Sequence, residues 1–355
     1  MRIAIPKEVK PLEGRVALTP DAVAELIDHG HAVTVQSGAG TASGFGDEDF
    51  RRAGAKIAPN AAATWAAGDL IVKVKEPVAQ EYGLLETRHR LFSYLHLAAV
   101  PVLANVLKDK GLVAVAFETV EHAGKLPLLA PMSAIAGRLS VQIGATLLHT
   151  PQGGAGVLLG GLPAAPRGSV VVLGAGHAGG NAACMAAALG ASVTVFDRNP
   201  ERLAAMHALS ANVTALHAFR PAVADAVADA DLVIGAVLVT GARAPHLVTR
   251  EMVKRMRRGS VVVDIAVDQG GCIETTRPTD YTKPTYVEEG VTHFCVTNMP
   301  GAVPRTASQA LSAVLAGYVL RLARDDWEED EELRAGINVQ NGRLVHPSVR
   351  AALEP

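Results

Sequence analysis

Residues Ser169 to Ala183 read SVVVLGAGHAGGNAA, a short valine run followed by glycines at 174, 176 and 179 and then by alanine-rich sequence. This order predicts a strand, a tight glycine turn and the first turns of a helix. Gly174 permits the turn, Gly176 lets the backbone approach a pyrophosphate, and Gly179 allows the helix to pack closely on the strand. Unpaired amides at the helix N-terminus then face the negative phosphates. A second strand, SVTVFD, ends in Asp197, 21 residues beyond Gly176 (197 minus 176). That is close to the spacing of about 20 expected for an acid that binds the adenine ribose. Asp197 can accept hydrogen bonds from both ribose hydroxyls. A 2′-phosphate there would meet a like charge, at a cost on the order of several kcal/mol. NAD is therefore favoured over NADP, although Arg198 and Arg202 lie where an arginine can accommodate the extra phosphate.

Strand-like and helix-like segments alternate along the 355 residues, which predicts α/β architecture with parallel sheets, in two domains. Before the glycine turn, the strand-like pieces include "AVTVQ", "DLIVKVKEP", "LFSYLH" and "LVAVAF". A long helix is expected from Pro131 and Ser133 to about His149, as a bridge between domains. After the turn, "SVTVFD", "DLVIGA", "SVVVDIA" and "THFCVT" continue the rhythm, so a doubly wound sheet is nearly complete by Val296. The helix expected over Arg305 to Arg324 is surplus to that sheet and should return to the N-terminal part. The expected division is thus 1–130 plus 305–355 for a discontinuous substrate domain, and 131–304 for the dinucleotide domain.

A net charge of −2 without basic clusters gives no footprint for nucleic acid or an anionic membrane. The apolar stretch between Arg305 and Arg321 offers 15 residues, against the roughly 20 needed to cross a bilayer. "MRIAIPKEVK" is too short and too soon charged for a signal peptide. Cys184, Cys272 and Cys295 are far apart and form no CxxC, which fits a reducing cytoplasm. The twelve histidines include no HExxH pattern, so no metal site is expected. "DDWEEDEE" near the C-terminus reads as a solvated acidic surface.

Ligands of doubly wound sheets sit beyond the carboxyl ends of the strands. Asp268 lies there, after "VVVDIAV", where capping a turn suits it as well as catalysis does; Asp264, within the strand, reads as structural. His96 at the end of "LFSYLH" can donate a hydrogen bond or move a proton near neutral pH, or sit as a satisfied, half-buried ring. Lys73 and Lys75 share one face of their strand by its two-residue period, and lysines at a strand end are ordinarily solvated. Arg15, in "PLEGRVALTP", can clamp a carboxylate with two parallel hydrogen bonds, though a loop arginine is more often a surface residue.

Taken in order, "IPKE", "RVALTP", "SGFGDEDF", "KVKEP", "YLHLA", "LLAPMS", "DLVIGAVL", "DIAVDQGGC" and "NMPGAVPRT" resemble the motifs of the alanine dehydrogenase and nicotinamide nucleotide transhydrogenase family over nearly the whole chain. The resemblance implies two Rossmann-like doubly wound domains, with the dinucleotide domain inserted into a substrate domain built from both chain ends. It implies an NAD-dependent, reversible conversion of L-alanine and water to pyruvate and ammonia by a soluble homo-oligomer, typically a hexamer. On the matching positions, Arg15 and Lys75 would bind substrate, while His96 and Asp268 would be catalytic. Nucleotide contacts would fall on Ser133, Asp197, Arg202, Val237, Leu238, Arg277, Asn298 and Met299, beside the three glycines. The chain departs from the family at Ala134, at Ala218 and along the helix after Pro304, which bears on substrate preference, cofactor affinity and subunit contacts. A dehydrogenase for another amino acid, a transhydrogenase-like NAD(H)-binding subunit and a non-catalytic NAD-binding regulator are the alternatives.

Overall fold

The computed structural model describes residues 1–237 and 246–354. The chain forms two compact units, Met1–Met132 with Gly301–Pro355, and Ser133–Pro300, so that the second is inserted in sequence into the first. The first sheet begins with β1 (Arg2–Ile5), β2 (Ala32–Gln36), β3 (Lys56–Ala58), β4 (Leu70–Val72), β5 (Arg90–Ser93) and β6 (Val113–Ala116). The second contains β7 (Ser169–Leu173), β8 (Ser192–Asp197), β9 (Val213–His217), β10 (Leu232–Gly235), β11 (Val261–Asp264), β12 (Thr285–Glu288) and β13 (Val291–Phe294). The chain then returns to the first sheet with β14 (Ile337–Gln340) and β15 (Arg343–Leu344).

Each sheet has a parallel core of the same strand order. Their strand orders run β3-β2-β1-β4-β5-β6 and β9-β8-β7-β10-β11-β13, each the 3-2-1-4-5-6 arrangement of a doubly wound fold. The order reverses between β1 and β4 in one sheet and between β7 and β10 in the other. A strand covered on both faces needs an unbroken apolar run. Val170 to Leu173 supply one, fully buried and paired in register with β8 and β10. Each sheet also carries antiparallel edge strands: β12 on β13, and the β14–β15 hairpin on β6. The hairpin turns at Asn341-Gly342 with positive φ at both residues (51° and 73°), the backbone such a two-residue turn demands. These edge strands are additions to the elements expected from sequence, as are the short β3 and β9.

The helix Ala130–Leu147 carries the chain from the first unit into the second. Within the second unit it lies very close to its neighbours: a Cβ on Gly137 would sit 2.1 Å from the Ala178 carbonyl oxygen. The helix Pro304–Leu322 belongs to the first unit and buries Leu311, Leu315, Val319 and Leu322 along one stripe. Its Ser308 and Ser312 hydroxyls accept the backbone N–H groups of Val16 and Thr19, each at 2.9 Å. Among the described residues, no helix is long and apolar enough to cross a membrane.

Three local expectations need correction. β4 ends at Val72 and β5 at Ser93, so Lys73, Lys75 and His96 lie on the segments that leave the strands. Lys73 is not solvated: it is buried between two carboxylates. The acidic C-terminal stretch is not simply a solvated face either. Trp327 is buried, Asp330 and Glu332 both pair with Arg321, and Asp330 caps the helix Glu331–Ala335. The charge at the end of the long helix draws these acids inward.

Gly179 and Gly317 separate packing from propensity. A Cβ on Gly179 would lie 1.7 Å from the Gly174 carbonyl oxygen, whereas one on Gly317 would meet nothing within 4 Å. Gly179→Ala should cost roughly 1–3 kcal/mol or more through overpacking. Gly317→Ala should be neutral or add up to about 1 kcal/mol of stability through helix propensity. Urea unfolding of both variants beside the parent checks this, and equal midpoints would mean that the glycine turn yields freely.

Candidate active site

In the first unit the candidate residues follow the carboxyl ends of adjacent strands: Arg15 after β1, Lys75 after β4 and His96 after β5. β1 and β4 flank the reversal of strand order, where a doubly wound sheet opens a crevice. Arg15 is only 2% exposed. Its Nε and Nη2 donate to the two Glu13 carboxylate oxygens at 2.6 and 2.5 Å, and its Nη1 lies 3.2 Å from Met132 Sδ. Burial works against this guanidinium, but the hydrogen bonds and charge of Glu13 outweigh it and the pKa is raised. Lys75 is half-buried. Burial lowers its ammonium pKa first, and the neighbouring Arg15 charge lowers it further. Two neighbouring cations withdrawn from water are chemically suited to a carboxylate.

Lys73 takes a different part. Its Nζ lies 3.1 Å from Glu81 and 3.5 Å from Glu8. Burial would lower this lysine, but the two carboxylates raise it overall. Glu8 also accepts the backbone N–H groups of Val74 (2.6 Å) and Lys75 (3.3 Å). The buried Glu8–Lys73–Glu81 trio thereby fixes the backbone that carries Lys75.

His96 adopts a left-handed conformation (φ 47°, ψ 39°), uncommon for a residue with a Cβ and found where surrounding structure enforces it. Its backbone N–H donates to Glu118 Oε1 at 2.6 Å. The imidazole stacks on Tyr94, with ring centroids 5.8 Å apart and planes 2° from parallel. Tyr94 is buried, donates its hydroxyl to the Leu128 carbonyl at 2.7 Å, and has its phenol pKa pushed up by burial. It lies within the fields of both Arg15 and Glu118. Arg15, Lys75, Tyr94 and His96 therefore form one cluster at the carboxyl edge of the first sheet.

In the second unit, Gly174 has φ 93°, and a Cβ there would collide with the Ala236 carbonyl and press on Val237. Val237 is thus placed against the glycine turn. A Cβ on Gly176 would project into open space, leaving backbone accessible at the start of the helix His177–Ala188. Asp197 closes β8 beside this turn. Its Oδ2 accepts the Ala175 N–H at 2.6 Å, and its Oδ1 accepts those of Arg198 and Asn199 at 2.7 and 2.8 Å. Arg202 approaches Oδ2 at 3.8 Å, and the Ala218 N–H donates to the Asp197 carbonyl. Open backbone amides beside an acid at the end of the second strand suit a dinucleotide's pyrophosphate and ribose.

The remaining candidates of this unit are more dispersed. Ser133 lies half-buried in the first turn of Ala130–Leu147, and Met299 is buried with its carbonyl accepting from Tyr281. Asn298 is half-buried beside it. Arg277 pairs with Glu288 on the edge strand β12 and covers the Tyr286 ring at 3.7 Å, several strands away from Asp197 in the sheet order. Leu238 lies outside the described residues. Asp268 is exposed on the turn Val267–Gln269 that follows β11. Asp264 organises that loop: it is buried and accepts from the Ala266 and Cys272 N–H groups and the Thr276 hydroxyl. Burial raises the Asp264 pKa against these donors.

Sequence reasoning passed over Glu8, Glu13, Tyr94 and Glu118. Glu13 and Tyr94 carried a local signal, each standing two residues from its partner, Arg15 and His96; Glu8 and Glu118 find theirs through the sheet.

The chain matches the family model "Alanine dehydrogenase/PNT, N-terminal domain" over residues 4–136 and its C-terminal counterpart over residues 140–347. It is 48% identical to the alanine dehydrogenase of Halomonas elongata, an alignment that covers 99% of this chain and 96% of that protein. The solved structure of an L-alanine dehydrogenase is similar with a TM-score of 0.97 and 50% identity, covering 100% of this chain and 99% of the other. A transhydrogenase from Sinorhizobium meliloti is similar with a TM-score of 0.85 and 28% identity, covering 98% and 99%.

Lys75→Met tests whether the pair of cations exists for binding. Removing a half-buried charge that lies beside another cation should leave thermal stability unchanged or raised. Affinity for small carboxylates such as pyruvate should fall about ten- to a hundredfold with the lost charge-assisted hydrogen bond. Calorimetric titration and a melting curve on the same sample read both, and a destabilised variant that still bound pyruvate normally would make Lys75 a structural residue.

Proposed function

The chain belongs to the alanine dehydrogenase/PNT family, and from that premise we propose that it is an L-alanine dehydrogenase. It catalyses the reversible, NAD-dependent oxidative deamination of L-alanine to pyruvate and ammonia. The observation that carries this reading is the cluster of Arg15, Lys75 and His96 at the carboxyl edge of the first sheet: a carboxylate receptor beside a proton-transfer group. A bound nicotinamide dinucleotide supplies the acceptor and donor of hydride, and the chain supplies position and charge. Arg15 binds the substrate carboxylate, and Lys75 holds the carboxylate or carbonyl side. His96 hydrogen-bonds the oxygen at the reacting carbon and moves its proton; Asp268 orients the amine and the attacking water. The reacting amine is neutral, because an ammonium has no lone pair to stabilise the developing imine. Alanine oxidation should therefore accelerate as pH rises above neutral.

On the cofactor side we assign the glycine turn to the pyrophosphate and Asp197 to the ribose, with Ser133, Arg202, Val237, Leu238, Arg277, Asn298 and Met299 as further contacts. The Asp197 carboxylate favours NAD over NADP even though Arg202 stands 3.8 Å away. We also assign the protein to the cytoplasm, as a homohexamer. The similarity to a transhydrogenase favours a second reading, hydride exchange between two nucleotides, but that reaction leaves a buried carboxylate receptor without a use.

NADH formation followed across a panel of amino acids separates these readings. L-alanine should be the preferred substrate, with kcat/KM at least about tenfold higher for NAD than for NADP, as a like-charge penalty in the ribose pocket implies. Preference for another amino acid, or none at all, would overturn the assignment.

His96→Ala and Asp268→Ala should each lower kcat by about 10²–10⁴-fold, the usual worth of a positioned acid or base. NADH binding by fluorescence should persist in both. Near-parental turnover in both variants would remove them from the chemistry.

A further inference from the structure

Glu118 has no part in the reaction as drawn above, yet the local structure converges on it. β5 and β6 are neighbouring parallel strands paired at Ser93 and Ala116. Glu118, in the short turn Phe117–Thr119 just beyond β6, therefore comes to lie beside Leu95 and His96 just beyond β5. Its two oxygens each lie 3.2 Å from the Leu95 amide nitrogen, and Oε1 accepts the His96 N–H at 2.6 Å. The same Oε1 is 3.8 Å from Nδ1 of the His96 ring. One carboxylate thus grips the backbone of a residue in an unfavoured left-handed turn and faces its imidazole.

We propose that Glu118 is the positioning residue for His96: it holds the histidine in its left-handed turn and stabilises the protonated ring, leaving Nε2 for the substrate. In the amination direction the Nε2 proton passes to the oxygen on the reacting carbon, and the neutral ring keeps its Nδ1 proton toward Glu118. In the oxidation direction Nε2 takes the proton back. The pairing stands on geometry alone; its part in turnover rests on the reaction proposed above. The other titratable groups packed here are Tyr94 beneath the ring, Arg15 and Lys75 of the same cluster, whose positive charges work against a protonated ring, and His346, which burial lowers although Glu118 opposes the shift. Arg350 and Glu354 lie on and just after the helix Pro347–Leu353, paired with each other at 3.8 Å. Lys108, Asp109 and Lys110 stand at the far end of the helix Pro101–Lys110. Among all these, Glu118 is the carboxylate within ion-pair distance of His96.

The test compares the full-length parent with Glu118→Gln, which keeps an acceptor for the amide but loses the charge, and with Glu118→Asp. Diethyl pyrocarbonate attacks only neutral imidazole, and the His96 side chain, 37% exposed, is accessible to it. Peptide mass spectrometry then follows modification of His96 against pH. In Glu118→Gln the rise in reactivity should move to lower pH, as loss of the negative charge facing the ring implies. Glu118→Asp should fall between and serves as the probe should the glutamine variant not fold. Pyruvate amination by Glu118→Gln should show kcat reduced about ten- to a hundredfold, the worth of a charged hydrogen-bond partner, with the KM for pyruvate within about threefold. Added to His96→Ala, the same substitution should cause no further loss of kcat, because the two residues act as one unit. An unmoved His96 titration would overturn the pairing. A moved titration with parental kcat, or an additive loss in the double variant, would overturn the positioning role. If the parent turned over no amino acid, the reaction reading would fall with the catalytic part, while the titration still decided the pairing.

Discussion

Arg15 is a guanidinium removed almost entirely from water, and much of the first unit is arranged to make that tolerable. A buried cation needs both its charge and its donors answered. Glu13, two residues away, answers them through a two-pronged pair. A loop holding two buried ions must itself be rigid. Ser308 and Ser312 accept its Val16 and Thr19 amides, and Ser43 donates to the Gly14 carbonyl. A Cβ on Gly14 would already stand 3.0 Å from Ala42 and 3.3 Å from Pro304. The helix Pro304–Leu322 is thus part of the scaffold around Arg15, which gives a physical reason for completing the first unit with residues from the far end of the chain.

The same unit places charge selectively. Lys73 lies between Glu8 and Glu81, Lys10 pairs with Glu76, and Arg15 with Glu13. Among the described residues Lys75 stands apart from these pairs, held in place by its backbone and depressed by burial and by Arg15. An arrangement that neutralises neighbouring cations and leaves one beside Arg15 is suited to an anionic ligand. It also separates two lysines on the same strand-leaving segment: Lys73 is enclosed by carboxylates, and Lys75 is the one proposed to bind substrate.

The second unit uses its acids twice over. Asp197 orders the turn that follows β8 and pins Ala175 of the glycine loop, so the group proposed to read the ribose also shapes the phosphate cradle. Asp264 orders the loop bearing Asp268, and the approach is so close that a Cβ on Gly271 would sit 2.6 Å from its Oδ2. In both places a carboxylate at the end of a parallel strand takes up backbone amides that the sheet no longer pairs.

Local pattern alone determined the parts of this protein that depend on neighbours in sequence. The valine run, the glycine spacing and Asp197 specify a strand, turn and helix through steric and hydrogen-bonding demands that span about thirty residues. The loops bearing Arg15 and Asp268 were legible because they follow strands, whereas Lys75 and His96 were expected on strands that in fact end at Val72 and Ser93. Asn341-Gly342 carried an equally local hairpin signal that the expectations passed over. Tertiary structure alone decided which charges are buried and what answers them. Glu8 meets Val74 from 66 residues away, Glu118 meets His96 from 22, and Ser308 meets Val16 from 292. Desolvation is set by everything packed around a group, and the partner of a buried charge is supplied by whichever strand or helix lies alongside. Neither is written in the residues next to it.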